Sequence, residues 1–83
     1  MVRQLLAAPA VDAGVARLSA REREILGLLA EGRTNLAIAD QLHVVERSVE
    51  KHVTAIFTKL DLVQTKSDHR RVLAVLRFLD ARP

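Results

Sequence analysis

The chain has 83 residues, of which 49% are hydrophobic, a formal net charge of +3 and no cysteine. This length allows one domain with a thin core, and the lack of cysteine excludes disulfides and thiolate metal sites. The mild basic excess favours an anionic partner, and it lies at the C-terminal end, where residues 66–83 hold five basic and two acidic residues.

The N-terminal 17 residues are predicted to be an appendage to the domain, partly ordered or helical. Residues 2–8 can form one or two helical turns, which Pro9 and Gly14 then interrupt. We therefore expect residues 18–83 to form the domain. No apolar run approaches the roughly 18 residues that a membrane span requires, so we expect a cytoplasmic protein without a membrane partner.

A helical hairpin pattern follows this appendage. Ser19 and Glu22 have the spacing of a capping box at the start of one helix, and Gly32 favours a left-handed end to that helix. Thr34 can cap a second, short helix with the sequence NLAIADQL. The sharp turn after this helix falls on His43, a residue type that accepts a positive φ more readily than most.

Two more helices complete the predicted fold. The segment SVEKHVTAIFTKL, residues 48–60, places apolar side chains on one helical stripe, and its helix should begin near residue 46 with Val45 at the N-cap. After a break, Ser67 or Asp68 is expected to cap a last helix near residues 68–80. The sequence thus predicts an all-α fold, a four-helix bundle in which the middle helices form a helix-turn-helix.

The segments LSAREREILGLLAEGRTNLAIADQL and SVEKHVTAIFTKL resemble the DNA-binding domain of LuxR-type regulators. The likeness is greater to the C-terminal effector domain of NarL/FixJ-type response regulators, in a subgroup associated with actinobacteria. It runs from about Leu18 to Leu60 and continues more loosely to Leu79. The resemblance implies a LuxR/NarL-type helix-turn-helix without a wing. It also implies that residues 1–17 are the remnant of a linker that follows a phospho-accepting receiver domain.

The resemblance implies that the third helix of the bundle enters the DNA major groove, with Glu50, Lys51 and Thr54 facing base edges. The chemistry suits this role, because Lys can donate to guanine, Glu can accept from cytosine N4, and Thr can contact a thymine methyl group. Without the surrounding signature, ordinary solvated charges would be the better explanation of Glu50 and Lys51. Hydroxyl groups, cations and helix N-termini often bind phosphates, and the candidates here are Arg33, Thr34, Arg47, Ser48 and Lys59.

Three positions depart from the family pattern. Val45 stands where Ser or Thr is usual, Ala37 where Glu is usual, and Glu50 where Lys is common. The first two changes remove helix-cap interactions. The third places a carboxylate near DNA phosphates, so we expect Glu50 to contribute to specificity rather than to affinity.

The last predicted helix is apolar around most of its circumference, whereas packing on one side needs a stripe of little more than 100°. NarL/FixJ-like domains pair through this helix, so the resemblance implies a homodimer that binds two half-sites. The alternative is that residues 1–17 fold back over the exposed apolar surface. The expected interface residues are Leu73, Leu76, Arg77 and Leu79.

Other classes of function fit the sequence less well. His43, His52 and His69 lie on different predicted elements, and we expect neither an enzyme nor a bound cofactor or metal. One alternative is a helical docking or phosphotransfer module with His52 as phospho-acceptor, although such a bundle needs longer helices. Another is the promoter-binding domain of a sigma factor, which the apolar last helix disfavours.

The sequence therefore predicts the sequence-specific DNA-binding effector domain of a two-component transcriptional regulator. Its expected partners are double-stranded DNA, a second copy of the chain and the receiver domain of the parent protein. RNA polymerase is a further candidate partner.

Overall fold

The computed structural model describes residues 12–62 and 66–81, and this part of the chain contains five α-helices and no strand. The prediction of an all-α fold is confirmed, while the helical turns predicted for residues 2–8 lie outside the described residues. Within the described residues no helix is long and apolar enough to cross a membrane. The helices are α1 (Ala13–Ala16), α2 (Ala20–Ala30), α3 (Asn35–Leu42), α4 (Glu46–Lys59) and α5 (Ser67–Asp80).

Helices α2 and α3 have the cap structures that the sequence predicts. Ser19 Oγ accepts a hydrogen bond from the Glu22 amide at 3.1 Å, and Glu22 Oε1 accepts one from the Ser19 amide at 2.8 Å. Gly32 has a φ of 86° just beyond the end of α2. Thr34 Oγ1 accepts a hydrogen bond from the Ala37 amide at 3.1 Å and caps α3. Each of these bonds joins residues three positions apart, so the sequence pattern suffices to predict them.

A tight turn joins α3 to α4 and completes the predicted helix-turn-helix. His43 has φ 59° and ψ 44°, which is the left-handed conformation expected for it. The Val44 amide donates to the Ala39 carbonyl at 3.0 Å across the turn. Ala39 is buried where α3 packs against α4, and its small side chain allows the two helices to approach closely. Val45 is the N-cap of α4 and makes no side-chain cap bond.

The start of the last helix differs from the prediction. Neither Ser67 nor Asp68 is its N-cap, because the helix already includes Ser67, and the N-cap is Lys66 with φ −64° and ψ 151°. Lys66 has no side-chain oxygen and makes no cap hydrogen bond. Capping preferences therefore do not decide where this helix begins.

The core is formed by the apolar stripes of α2, α3 and α4, with α5 packed mainly on α2 and α4. Ala74 of α5 is buried, and Phe78 packs against the core. The segment after α4 turns back through Asp61, whose φ is 60°, and the Leu62 amide donates to the Phe57 carbonyl at 2.8 Å. The largest fully buried side chains are Ile25, Leu26, Ile38, Val49, Ile56 and Leu60.

Helix α1 packs against the junction of α4 and α5. Val15 is 3% exposed and joins the core, and Gly14 is buried next to it. A Cβ atom on Gly14 would lie 2.8 Å from Leu60 Cδ2 and 2.9 Å from the Lys59 carbonyl oxygen. The close approach of α1 therefore requires glycine at position 14. Part of the N-terminal segment thus covers one edge of α5.

Candidate nucleic-acid interface

The outer face of α4 is polar and exposed. Arg47, Glu50, Lys51, Thr54 and Thr58 are all exposed. At 3.6 residues per turn they fall within an arc of about 100°. The opposite stripe, which includes Val49, Val53 and Ile56, is buried in the core. Helix α4 is thus held firmly on one side while its polar side remains free for a partner.

The three residues predicted to contact bases lie together on this face. Glu50, Lys51 and Thr54 line a shallow open depression of about 360 Å³, and Arg47 completes its wall. The depression carries two cationic groups, one carboxylate and one hydroxyl. It therefore offers both hydrogen-bond donors and acceptors, which the edges of base pairs require.

Two of the predicted phosphate contacts lie at the N-terminal end of α4. Arg47 is exposed and Ser48 is half-buried in its first turn. Because Val45 has no polar side chain, no side-chain oxygen of the N-cap occupies the first amides of the helix. These amides and the positive end of the helix dipole favour an anion, although Glu46 in the same turn opposes one.

Two other predicted phosphate contacts, Arg33 and Thr34, are exposed at the start of α3. Arg33 Nε donates to Glu31 Oε1 at 3.0 Å, and both of these side chains are about half exposed. Thr34 uses its hydroxyl as the α3 cap. Solvent-exposed ion pairs contribute little to stability, so the Arg33 guanidinium can exchange Glu31 for another anion at small cost.

Lys59 has partners within the chain. Its Nζ lies 2.7 Å from Glu22 Oε1, whose side chain is 8% exposed. Burial acts to raise the pKa of Glu22, but hydrogen bonds from Lys59 and from the Ser19 amide outweigh it and lower that pKa. Lys59 also ends α4, about 18 Å along the helix from Arg47. The structure therefore separates Lys59 from the polar face that the other α4 candidates share.

The side of α5 opposite Ala74 exposes several apolar side chains. Leu73 is 39% exposed, Leu76 is 51% exposed and Leu79 is 44% exposed. Val72 lies on the same side. An apolar groove of about 230 Å³ runs between this side of α5 and Leu29 of α2. Three of the four residues predicted for a dimer interface are thus exposed on α5, and Leu76 lines the groove.

The fourth of these residues, Arg77, is bonded within the chain. Its Nη2 donates to Asp12 Oδ1 at 2.7 Å, its Nε donates to Asp12 Oδ2 at 2.8 Å, and its Nη1 donates to the Leu60 carbonyl. The hydrogen bond from Arg77 lowers the pKa of Asp12 to about 2, and the same bond raises the pKa of Arg77. Sequence analysis missed Asp12, because nothing in its local pattern links it to a residue 65 positions away.

A second long-range contact that sequence analysis missed is made by Arg71. Its Nη1 donates to Asn35 Oδ1 at 3.0 Å, and its Nη2 lies 3.4 Å from the Arg33 carbonyl oxygen. This side chain of α5 therefore bonds the segment that begins α3. The basic excess near the C-terminus was the available signal, but it did not indicate which arginine faces inward.

The three histidines do not form a cluster with the polar face. His43 ends α3, His52 is half-buried in α4 and His69 is exposed in α5. Of the three, His52 is the candidate phosphotransfer site. Its half-buried position fits a packing role on α4 better than one as an accessible phospho-acceptor.

Comparison with known proteins decides the family. The family described as "Bacterial regulatory proteins, luxR family" matches residues 16–75. The chain belongs to the luxR family. This confirms the resemblance found in the sequence and supports the helix-turn-helix of α3 and α4 as the DNA-binding element of a transcription regulator. A luxR-family domain is a regulatory module and not an enzyme, and the match favours it over a phosphotransfer bundle or a sigma-factor domain.

Several regulators are similar to this luxR-family domain. The transcriptional regulatory protein LiaR of Bacillus subtilis is 47% identical over 45 residues, and the oxygen regulatory protein NreC of Staphylococcus haemolyticus is 56% identical over 45 residues. The DNA-binding transcriptional activator DevR/DosR of Mycobacterium tuberculosis is 42% identical over the same length. Each match covers 54% of this chain and 21% of the relative. The matched segment thus corresponds to about a fifth of each relative. No solved structure matches the chain significantly.

Proposed function

We propose that this domain binds double-stranded DNA sequence-specifically, with α4 in the major groove. The observation that carries this proposal is the arrangement of α4, whose inner stripe is buried while Arg47, Glu50, Lys51 and Thr54 line an exposed depression. A helix of this kind fits the major groove, which is about 12 Å wide in B-DNA. Membership of the luxR family supports the same conclusion.

Lys51 and Thr54 are the main proposed contacts to bases, and Glu50 is proposed to set specificity. The Lys51 ammonium suits guanine O6 and N7, and the Thr54 hydroxyl or methyl group suits an adjacent base. A Glu50 carboxylate gains a bond only where a cytosine N4 faces it, and elsewhere phosphate repels it. These roles explain why two basic side chains and one carboxylate share one face of a DNA-binding helix.

Phosphate contacts are proposed at Arg33, Thr34, Arg47 and Ser48. They lie at the beginnings of α3 and α4. Lys59 is left out, because Glu22 holds its ammonium at the far end of α4. Residues 32–65 carry four basic and four acidic residues, so we expect the affinity of one domain for DNA to be modest.

Modest affinity favours a dimer that binds two half-sites, and we propose that α5 forms its interface. The exposed side chains of Leu73, Leu76 and Leu79 face away from the core and would be covered by the same surface of a second copy. A two-fold interface of this kind is self-complementary. Asp12 and α1 hold Arg77 at the edge of α5 and leave the leucine surface open.

We further propose that the parent protein is a response regulator, with a receiver domain before this domain and RNA polymerase as a downstream partner. The regulatory proteins LiaR, NreC and DevR/DosR are about five times longer than the segment they share with this chain. In this arrangement phosphorylation of the receiver would control pairing of the DNA-binding domains through α5.

The test begins with selection of bound sequences from random duplexes, followed by titration of selected and scrambled DNA. We expect Lys51→Ala to lower the affinity for the selected duplex by about 1–3 kcal/mol and to relax the preference at one base position. Lys66→Ala is the matched control, because it removes the same side chain from an exposed position outside α4. Equal loss on every duplex would show that Lys51 contacts phosphate. A wild-type domain without sequence preference would contradict the proposal.

A further inference from the structure

Arg71 connects two surfaces that the proposed function treats separately. Its guanidinium donates to Asn35 Oδ1 at 3.0 Å and lies 3.4 Å from the Arg33 carbonyl oxygen. The same residue lines the apolar groove between α5 and Leu29. One half-buried arginine therefore bonds the segment that begins α3 and also lines the groove beside Leu76.

Apart from Arg71, the segment that begins α3 is held by bonds to nearby residues, such as those from the Ala37 and Ile38 amides to Thr34 at 3.1 Å and 2.9 Å. Its backbone passes through Gly32 at φ 86°, and the Arg33 amide bonds the Leu28 carbonyl at 3.3 Å. The Glu31–Arg33 ion pair is exposed on both sides, and such pairs contribute little. Two bonds from one planar guanidinium fix the orientation of a segment better than a single bond does.

We infer that Arg71 is a positioning residue that holds Arg33 and Thr34 in the geometry needed to bind a DNA phosphate. The inference rests on the proposed function, in which these two residues contact the backbone. Phosphate contacts set the register of a domain on the duplex. Loss of the Arg71 bonds therefore weakens binding even though Arg71 itself need not touch DNA.

The experiment compares Arg71→Gln with Arg70→Gln. Both substitutions remove one positive charge from adjacent positions of α5, but the Arg70 guanidinium lies over the Phe57 ring, 4.9 Å from its centroid. Binding is measured on a duplex with one half-site, so that pairing of two domains does not contribute, and at several salt concentrations. We expect Arg71→Gln to weaken binding about three- to tenfold and to reduce the salt slope by about one. Arg70→Gln should leave both quantities near the wild-type values.

A double-mutant cycle separates positioning from direct contact. In a protein that already carries Arg33→Gln and Thr34→Ala, Arg71→Gln should cause little further loss, because the residues it positions are gone. Full additivity would show that Arg71 binds phosphate directly and would overturn the inference. Arg71→Lys retains the charge and the aliphatic stem but lacks the two-pronged donor, so we expect it to behave like Arg71→Gln. Wild-type binding by Arg71→Lys would also overturn the inference.

An observable that needs no DNA keeps this inference distinct from the proposed function. The Ala37 amide bonds Thr34 Oγ1 at 3.1 Å, so its NMR resonance reports on the start of α3. It should shift in Arg71→Gln and stay in place in Arg70→Gln. If the resonance shifts while wild-type protein binds no duplex, the DNA-binding proposal fails and the positioning contact stands. A folded Arg71→Gln with an unchanged Ala37 resonance and unchanged affinity would refute the positioning role.

Discussion

The ion pair between Asp12 and Arg77 predicts that the N-terminal segment stabilises the domain in a pH-dependent way. The two residues share two hydrogen bonds of 2.7 Å and 2.8 Å, and their side chains are 19% and 35% exposed. Asp12→Asn keeps the shape of the side chain and removes its charge. It should weaken the attachment of α1 to the edge of α5 and, through Val15, the packing of α1 on the core.

The magnitude follows from the pKa of Asp12, which falls from 3.8 to about 2. One pKa unit corresponds to about 1.4 kcal/mol, so the stabilisation that ionised Asp12 contributes has an upper limit of about 2.4 kcal/mol. Solvent screening of the partly exposed Arg77 reduces the expected loss in Asp12→Asn to about 1–2 kcal/mol. For a domain of this size the melting temperature should fall by about 5–15 °C.

The pH dependence has a definite sign. Because the folded-state pKa lies below the unfolded value, the stabilisation from ionised Asp12 is complete above about pH 5 and is lost as the pH falls toward 2. Urea denaturation of wild-type and Asp12→Asn protein at pH 3 to 7 measures this. The difference in unfolding free energy should narrow by roughly half at pH 3.

The control is Glu24→Gln, which removes a carboxylate from the exposed Arg21–Glu24 pair at 3.1 Å. We expect it to change the unfolding free energy by less than about 0.5 kcal/mol. Equal effects of Asp12→Asn and Glu24→Gln would show that Asp12 acts as an ordinary surface charge. A wild-type-to-mutant difference that stays constant from pH 7 to pH 3 would refute the ion-pair argument itself.

Two further predictions concern the proposed interfaces. Glu50→Gln should raise the affinity for scrambled duplexes, because it removes a repulsion from phosphate, and should weaken the preference at one base pair. Competition titrations with selected and scrambled DNA measure both quantities. Unchanged selectivity would show that Glu50 does not contribute to specificity. Leu76→Asp should stay folded by circular dichroism, since Leu76 is 51% exposed, yet should abolish cooperative binding to duplexes with two half-sites. Leu73→Asp, at a side chain that is 39% exposed, tests the same interface. If neither substitution alters mass in solution or cooperativity on DNA, the dimer interface lies elsewhere.

The sequence alone determined those parts of the fold that depend on neighbouring residues. The capping box of Ser19 and Glu22, the Thr34 cap and the left-handed His43 all involve bonds within a few positions, and the structure contains each of them. The predicted N-cap of α5 was wrong, because the helix begins without a side-chain cap bond and its N-cap is Lys66. The helical period also predicted both faces of α4, because that helix has a clear polar side.

Only the tertiary structure decided which side of α5 faces the core. Its apolar residues surround the helix, so periodicity cannot choose among them, and packing against α2 and α4 buries Ala74 while Leu76 stays exposed. The same holds for the bonds of Arg71 and Arg77, whose partners lie between 17 and 65 positions away. An arginine reaches many surface positions with a long, flexible side chain. Which carboxylate or carbonyl it bonds depends on how the helices pack, and a local sequence pattern does not specify that packing.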